Sequence, residues 1–177
     1  MDTIQSLLEA QVWPKTFHTL HTAISAVGLT TPLEDPRPTT LFAPDDEAFN
    51  RLHPGVLFDL LRDLTLLKKL LEYHIVPLKL TQADLLRLSF TSFEKTCGMF
   101  PLQPEREELL GMVELPTLSG HSLLATASPT SHRVYVQGNE LLELDLEAGN
   151  GIIHTVERVL WPPDINEAMV DKQDSRR

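Results

Sequence analysis

Hydrophobic and polar positions follow two different periods along the chain, and the period changes near residue 113. Before that point apolar residues recur every three or four positions, which predicts helices. We expect helices over residues 3–10, from Pro14 to Val27, in two linked pieces over Val56–Leu71, and from Thr81 to Leu88. After residue 113 apolar and polar residues alternate over short runs, which predicts strands joined by tight turns, one of them at Gly138–Asn139.

Two further stretches predict strands that organise the fold. Thr40–Ala43 is a short β-rich run, and the following Asp45 is placed to cap a helix. The second run, residues 150–160, is rich in β-branched residues; we expect Asn150–Gly151 to form a turn before it and Pro162–Pro163 to end it. We predict that this strand is central and lies beside Thr40–Ala43.

Two segments lack either period and are predicted as irregular connections. Residues 30–39 contain three prolines, which oppose a regular element. Residues 89 to about 115 concentrate large apolar side chains without a clear periodicity, namely Phe90, Phe93, Met99 and Phe100. Long connections on a rigid scaffold often carry specificity, so the second segment is a candidate binding element.

Composition narrows the class of protein. The 177 residues fit one domain, and a formal net charge of −10 without a Lys/Arg-rich run argues against nucleic-acid binding. No apolar run is long enough to predict a membrane span, and the lone Cys97 cannot form an internal disulfide. The first residues lack the features of a signal peptide, so a cytoplasmic location is expected if Met1 is the native start.

Candidate chemistry is sparse. His18 and His21 share a helical face, and residues 45–47 are all acidic, but helix capping explains the acids and no further metal ligand can be assigned. The chain lacks a nucleophile elbow, a phosphate-binding glycine loop and a dinucleotide fingerprint. We therefore predict neither a metal, nor a cofactor, nor catalysis.

Six segments, in the same order along the chain, strongly resemble the signature segments of the fasciclin domain, also called FAS1. They are Ala26–Leu29, Thr40–Phe49, Leu70–Pro77, Ala83–Leu85, Thr117–Gly120 and Asn150–His154. The resemblance implies an α+β fold, a fasciclin-like wedge of two small β-sheets with a cluster of helices. It also implies one domain over residues 1–163, with an insertion at about 89–115 and a polar tail over 164–177.

The resemblance further implies a non-catalytic interaction or adhesion module, secreted or surface-attached and monomeric, with a protein or cell-surface partner. Two elements of the family act in adhesion. The first matches Tyr73 and His74, and the second matches Asp145 and Leu146, where Leu146 replaces an isoleucine. A structural role for Tyr73 and His74 is the alternative, because buried residues of these types usually find hydrogen-bond partners; we expect His74 to be buried and hydrogen-bonded.

The main rival hypothesis is a carrier of a lipophilic ligand. Some algal members of the family bind carotenoids, and the apolar side chains of Phe90, Phe93, Met99 and Phe100 could line a site for such a ligand. On this hypothesis the 89–115 insertion would form the binding element.

Overall fold

A computed structural model describes residues 3–10, 16–53, 55–97, 112–128, 131–142 and 145–165, without the side chains of 92–97. The helices are α1 (Ile4–Ala10), α2 (His18–Val27), α3 (Thr30–Glu34), α4 (Asp46–Asn50), α5 (Val56–Arg62), α6 (Leu64–Tyr73) and α7 (Gln82–Cys97). The strands are β1 (Thr39–Pro44), β2 (Ile75–Val76), β3 (Val113–Pro116), β4 (Ser122–Ala127), β5 (Val134–Val136), β6 (Asn139–Glu140), β7 (Leu146–Ala148) and β8 (Gly151–Val156). The α+β class predicted from the sequence is confirmed.

The strands form two four-stranded sheets. The first has the order β2-β1-β8-β7, and the second has the order β3-β4-β5-β6. In the centre of the first sheet β1 and β8 run parallel, with Thr39 opposite Gly151 and Pro44 opposite Val156. The prediction that the two signature strands are central neighbours is therefore confirmed.

The β1–β8 pair separates two hydrophobic cores. All residues of both strands are buried, as is typical of parallel strands that are covered on both faces. Leu41 and Ile153 belong to a core that they share with helices α1 to α6. Phe42 and Val156 belong to a second core that they share with α7 and the second sheet. Each of these strands therefore supports both halves of the molecule.

Two predicted helix boundaries and one predicted irregular segment were wrong. Helix α2 begins at His18 rather than at Pro14, because Thr16 and Phe17 are not helical. Residues 30–34 form α3, which accommodates Pro32 because the first turn of a helix leaves its N–H groups unbonded. Helix α7 continues beyond Leu88 to Cys97, so residues 89–97 are not an irregular connection.

The length of α7 has a simple physical reason. No glycine or proline interrupts residues 82–97, and the next potential helix breaker is Gly98. Leu85 and Ser89, one helical turn apart, are both buried on the face that meets the second core. Because Ser89 is polar, it interrupts the apolar periodicity of this face, and the helix predicted from that periodicity was too short.

Both predicted turns shift by one residue. Pairing of Ala148 with Gly151 makes the loop Gly149–Asn150, and pairing of Val136 with Asn139 makes the other loop Gln137–Gly138. Asn150 and Gly151 are not among the described residues with positive φ, so the expected turn does not form at this pair. Strand β8 also ends at Val156, well before the prolines that were predicted to end it.

Asn150 and Gly151 instead organise the contacts of β8 with the helices. The Asn150 side chain accepts a hydrogen bond from the Ile4 backbone (3.0 Å) and donates to the carbonyl oxygens of Leu33 (2.6 Å) and Asp35 (2.9 Å). A Cβ atom on Gly151 would overlap the Thr39 carbonyl oxygen. Glycine is therefore required here by the close approach of β1, not by its own backbone angles.

Gly151→Ala should lower the free energy of unfolding by about 3 kcal/mol, because the β1–β8 pair must separate to admit the methyl group. Urea denaturation measures the loss. Gly138→Ala is the matched control: it has open space but a φ of 75°, so it should cost only about 1 kcal/mol. Equal losses in the two variants would contradict the close-approach argument.

Candidate functional site

Tyr73, at the end of α6, is buried and reaches the second sheet. Its side chain is 0% exposed. Its hydroxyl donates to the Ser122 carbonyl oxygen (3.1 Å) and accepts from the Gln137 side-chain amide (2.6 Å). Burial raises the pKa of this phenol, so it stays protonated and able to donate. Tyr73 thus ties α6 to β4 and to the β5–β6 turn.

The adjacent His74 ties α6 to the chain that follows β8. Its Nδ1 atom donates to the Leu70 carbonyl oxygen (2.8 Å), while Nε2 accepts from the Leu160 backbone N–H (3.0 Å). This pair of bonds requires the neutral ring with its proton on Nδ1. Burial lowers the His74 pKa from 6.5 to about 4. The predicted burial and hydrogen bonding of His74 are confirmed.

Residues 78–82, here called the crossing segment, lead from β2 across one end of the first sheet. The Thr40 hydroxyl of β1 bonds to the backbone of Leu78 and of Leu80. From β8, His154 Nε2 donates to the Leu80 carbonyl oxygen (2.7 Å). The backbone N–H of Gln82, the first residue of α7, then donates to the Asp145 carboxylate (2.8 Å). Three side chains therefore hold the crossing segment against successive strands.

Asp145 and Leu146 lie at the β7 edge of this sheet. Asp145 is exposed, has a left-handed φ of 57°, and donates its backbone N–H to Nδ1 of the buried His154 (3.2 Å). Leu146, the first residue of β7, is partly buried against the helical core. The structure does not gather these residues with Tyr73 and His74 into one pocket: β2 and β7 are opposite edges, about 14 Å apart.

An open groove lies beside β2, at the other predicted element. Its volume is about 440 Å³. The lining residues are Thr31, Pro32, Asp35, Arg37, Pro38, Thr39, Ile75, Pro77 and Leu118. Leu118 is 40% exposed and also donates its backbone N–H to the Ile75 carbonyl oxygen (3.0 Å). Sequence reasoning missed this groove because three distant segments form it, although the prolines of 32–38 and Pro77 mark its walls.

The candidate ligand-binding aromatics are only partly described. Phe90 lies on α7 and is 51% exposed. The side chain of Phe93, and all of Met99 and Phe100, lie outside the described residues. The lipophilic-ligand hypothesis therefore remains a prediction.

The acids after β1 act as helix caps. The Asp45 carboxylate accepts from the Ala48 backbone N–H (2.8 Å), and the Asp46 carboxylate accepts from the backbone of Thr19 (2.9 Å) in α2. Within the described ranges, no group of three or more His, Cys, Asp or Glu side chains is arranged to hold a metal ion. None of the described helices combines the length and apolarity needed to span a bilayer.

The buried His74 should make stability depend on pH. In the unfolded chain His74 takes up a proton near pH 6.5, whereas in the folded chain it does so only near pH 4. The stability contributed by the buried neutral ring is therefore complete above pH 6.5 and is lost as the pH falls to 4. His74→Gln should remove up to about 3 kcal/mol of that pH dependence. Urea denaturation between pH 4 and 7 measures it; a slope remains because burial lowers the His154 pKa too.

The control for this measurement is His53→Gln, the same change at an exposed position. Its profile measures what the loss of an exposed histidine contributes, and the change caused by His74→Gln should exceed it. A His74→Gln profile parallel to that of the wild type would show that His74 is not the buried neutral group described above.

Comparisons with known proteins agree with this architecture. The Fasciclin domain profile matches residues 15–162. The chain is 32% identical to an uncharacterized protein of Synechocystis, sll1735, over 88% of this chain and 96% of that protein. It is 28% identical to pig transforming growth factor-beta-induced protein ig-h3, over 91% of this chain but 20% of that protein.

A solved FAS1 domain pair from the insect cell adhesion molecule Fasciclin I has the same fold. The alignment covers 92% of this chain and 52% of the Fasciclin I chain, with a TM-score of 0.66 and 19% sequence identity. The profile match covers most of the chain and every element from α2 to β8. The chain therefore belongs to the fasciclin domain family.

Proposed function

We propose that the protein is a non-catalytic interaction module of the adhesion type, and that a protein or cell-surface partner binds the groove beside β2. The observation that carries the proposal is that this groove follows directly from the Tyr73–His74 segment: Ile75 and Pro77 form part of its lining. A cell adhesion protein with the same fold, Fasciclin I, supports the class of function.

Tyr73 and His74 are buried and support this surface from the interior of the protein. A partner that binds the native fold therefore meets the residues that they position. Pro77 to Lys79 are exposed immediately after β2, and Leu78 is 47% exposed. Their position depends on α6 and β2, which the buried hydrogen bonds of Tyr73 and His74 fix in relation to the second sheet and to Leu160.

The groove has the chemical character of a protein-binding surface. Pro32, Pro77 and Leu118 supply apolar area, and the Arg37–Asp35 ion pair (2.7 Å) provides charge at the same groove. Protein interfaces commonly combine an apolar centre with a polar rim. A groove of about 440 Å³ can accept a few side chains of a partner.

Asp145 and Leu146 form a second candidate contact at the β7 edge. The crossing segment joins this edge to the groove through Thr40, His154 and Asp145 itself. A large partner could touch both edges, since they are about 14 Å apart. We infer that the two elements contribute separately to one extended surface.

The test is adhesion of cells from the native host to the immobilised protein. The double variant Leu78→Asp/Leu118→Asp should reduce adhesion at least about tenfold, because charges would replace apolar contact area in the groove, at Leu118, and on the adjoining crossing segment, at Leu78. Its thermal melt should change little, since both side chains are substantially exposed. Phe58→Asp on α5, where Phe58 is 65% exposed, is the matched control and should adhere like the wild type.

Asp145→Asn separates recognition from structure at the second edge. Asparagine keeps an acceptor for the Gln82 N–H and tolerates the left-handed backbone, so stability should be preserved. Reduced adhesion of this folded variant would support a contact between Asp145 and the partner. The proposed surface would be wrong if cells adhered to the groove double variant as well as to the wild type. It would also be wrong if cells adhered to the wild-type protein no better than to albumin.

A further inference from the structure

A second open cavity lies at the opposite end of the β1–β8 pair from the groove. The two parallel chains diverge there, one into α4 and the other towards Trp161. The cavity measures about 550 Å³, within the range of small-molecule sites. Its lining residues are Ala48, Arg51, Leu52, Asn139, Arg158, Val159 and Trp161. They come from α4 and the two residues that follow it, from β6 and from the chain after β8.

Two arginines make the cavity rich in hydrogen-bond donors. Arg51 Nη1 donates to the Glu157 backbone carbonyl (3.2 Å) and pairs with its carboxylate (3.1 Å), which fixes this guanidinium at the rim. Arg158 is exposed and makes no ion pair with any carboxylate among the residues that the structure describes. A guanidinium offers five N–H donors and no acceptor, so Arg158 is suited to bind an anionic ligand in place of water.

The pairing of the two arginines favours a monoanion. The described lining residues include Arg51 and Arg158 and no acidic residue. Arg51 is paired with Glu157, so the Arg158 guanidinium is the cationic group available to a ligand. The negative charge of the neighbouring Glu140 is balanced by its ion pair with Arg133 (3.3 Å). A planar carboxylate matches both the single charge and the fork of Arg158. This local charge opposes the overall net charge of −10, so it is not a general property of the surface.

An apolar wall faces the same space. Trp161 and Leu52 are partly buried against the helical core, and Val159 is 4% exposed. A bare anion would leave this wall in contact with water, whereas a ring or apolar body would cover it. The cavity therefore combines one site for charge with one surface for a ring.

We propose that this cavity binds a small monocarboxylate carried on a ring or apolar body, with Arg158 holding the carboxylate and Trp161 contacting the ring. The site is separate from the groove beside β2 and does not depend on the proposed adhesion function. Arg51 acts as a positioning residue, since its ion pair with Glu157 orients the rim on which Arg158 lies.

Phenylacetate, its neutral isostere phenylacetamide, and acetate are the probes. They are titrated into ¹⁵N-labelled protein while the Trp161 indole N–H signal, assigned with Trp161→Phe, is followed by NMR. Phenylacetate should shift this signal saturably, with a Kd on the order of millimolar for so small a ligand. Phenylacetamide and acetate should each bind at least about tenfold more weakly, because each lacks one half of the recognition.

Arg158→Gln should weaken phenylacetate binding at least about tenfold and leave the melting temperature unchanged, since this arginine is exposed. Arg87→Gln is the control: it removes an exposed arginine that lines neither cavity and should bind phenylacetate like the wild type. Unchanged binding by Arg158→Gln, equal binding of phenylacetamide, or equal binding of acetate would each overturn the proposal. So would the absence of a saturable shift with phenylacetate.

Discussion

The end of α6 holds the two halves of the molecule together through two buried side chains. Tyr73 bonds to the second sheet at Ser122 and Gln137, and His74 bonds to Leu160 in the chain after β8. Each such hydrogen bond contributes only about 1 kcal/mol net, but a buried partner left without one costs about 1–3 kcal/mol. Loss of either side chain therefore leaves polar groups unsatisfied at the junction between two cores.

The other contacts across the junction follow the same design. Asn150 joins β8 to α1 and α3, and Gly151 lets β1 approach β8 closely. Thr40, His154 and Asp145 then fix the crossing segment over the end of the first sheet. The residues that give the chain its family resemblance are thus mostly buried connectors. The candidate binding surfaces lie on the segments that these residues connect.

The features predicted correctly from the sequence depend on local patterns. The apolar period of α6 and the capping aspartate of α4 are readable within a few residues. The features that sequence reasoning missed depend on distant partners. Helix α7 was cut short because Ser89 interrupts its apolar face. The loop Gly149–Asn150 could not be distinguished from Asn150–Gly151, because the requirement for Gly151 comes from Thr39 on another strand.

The candidate sites follow the same rule. The resemblance indicated His74, and its burial was predicted from the behaviour of this residue type, but no sequence signal named Leu160 as its partner. Asp145 and Leu146 matched a family segment. That the width of the sheet separates them from Tyr73 could be seen only from the strand order. Each cavity is lined by segments far apart in the chain, so neither could be derived from spacing.

Native-state hydrogen exchange of wild type and His74→Ala tests most directly whether the end of α6 unites the two cores. In the wild type, amides of β1 and β8 should open with the same free energy as amides of β4 and β5. In His74→Ala that free energy should fall by the same amount in both sheets, about 1–3 kcal/mol. Loss of protection confined to α6 and residues 157–160, with β4 and β5 unchanged, would contradict the account.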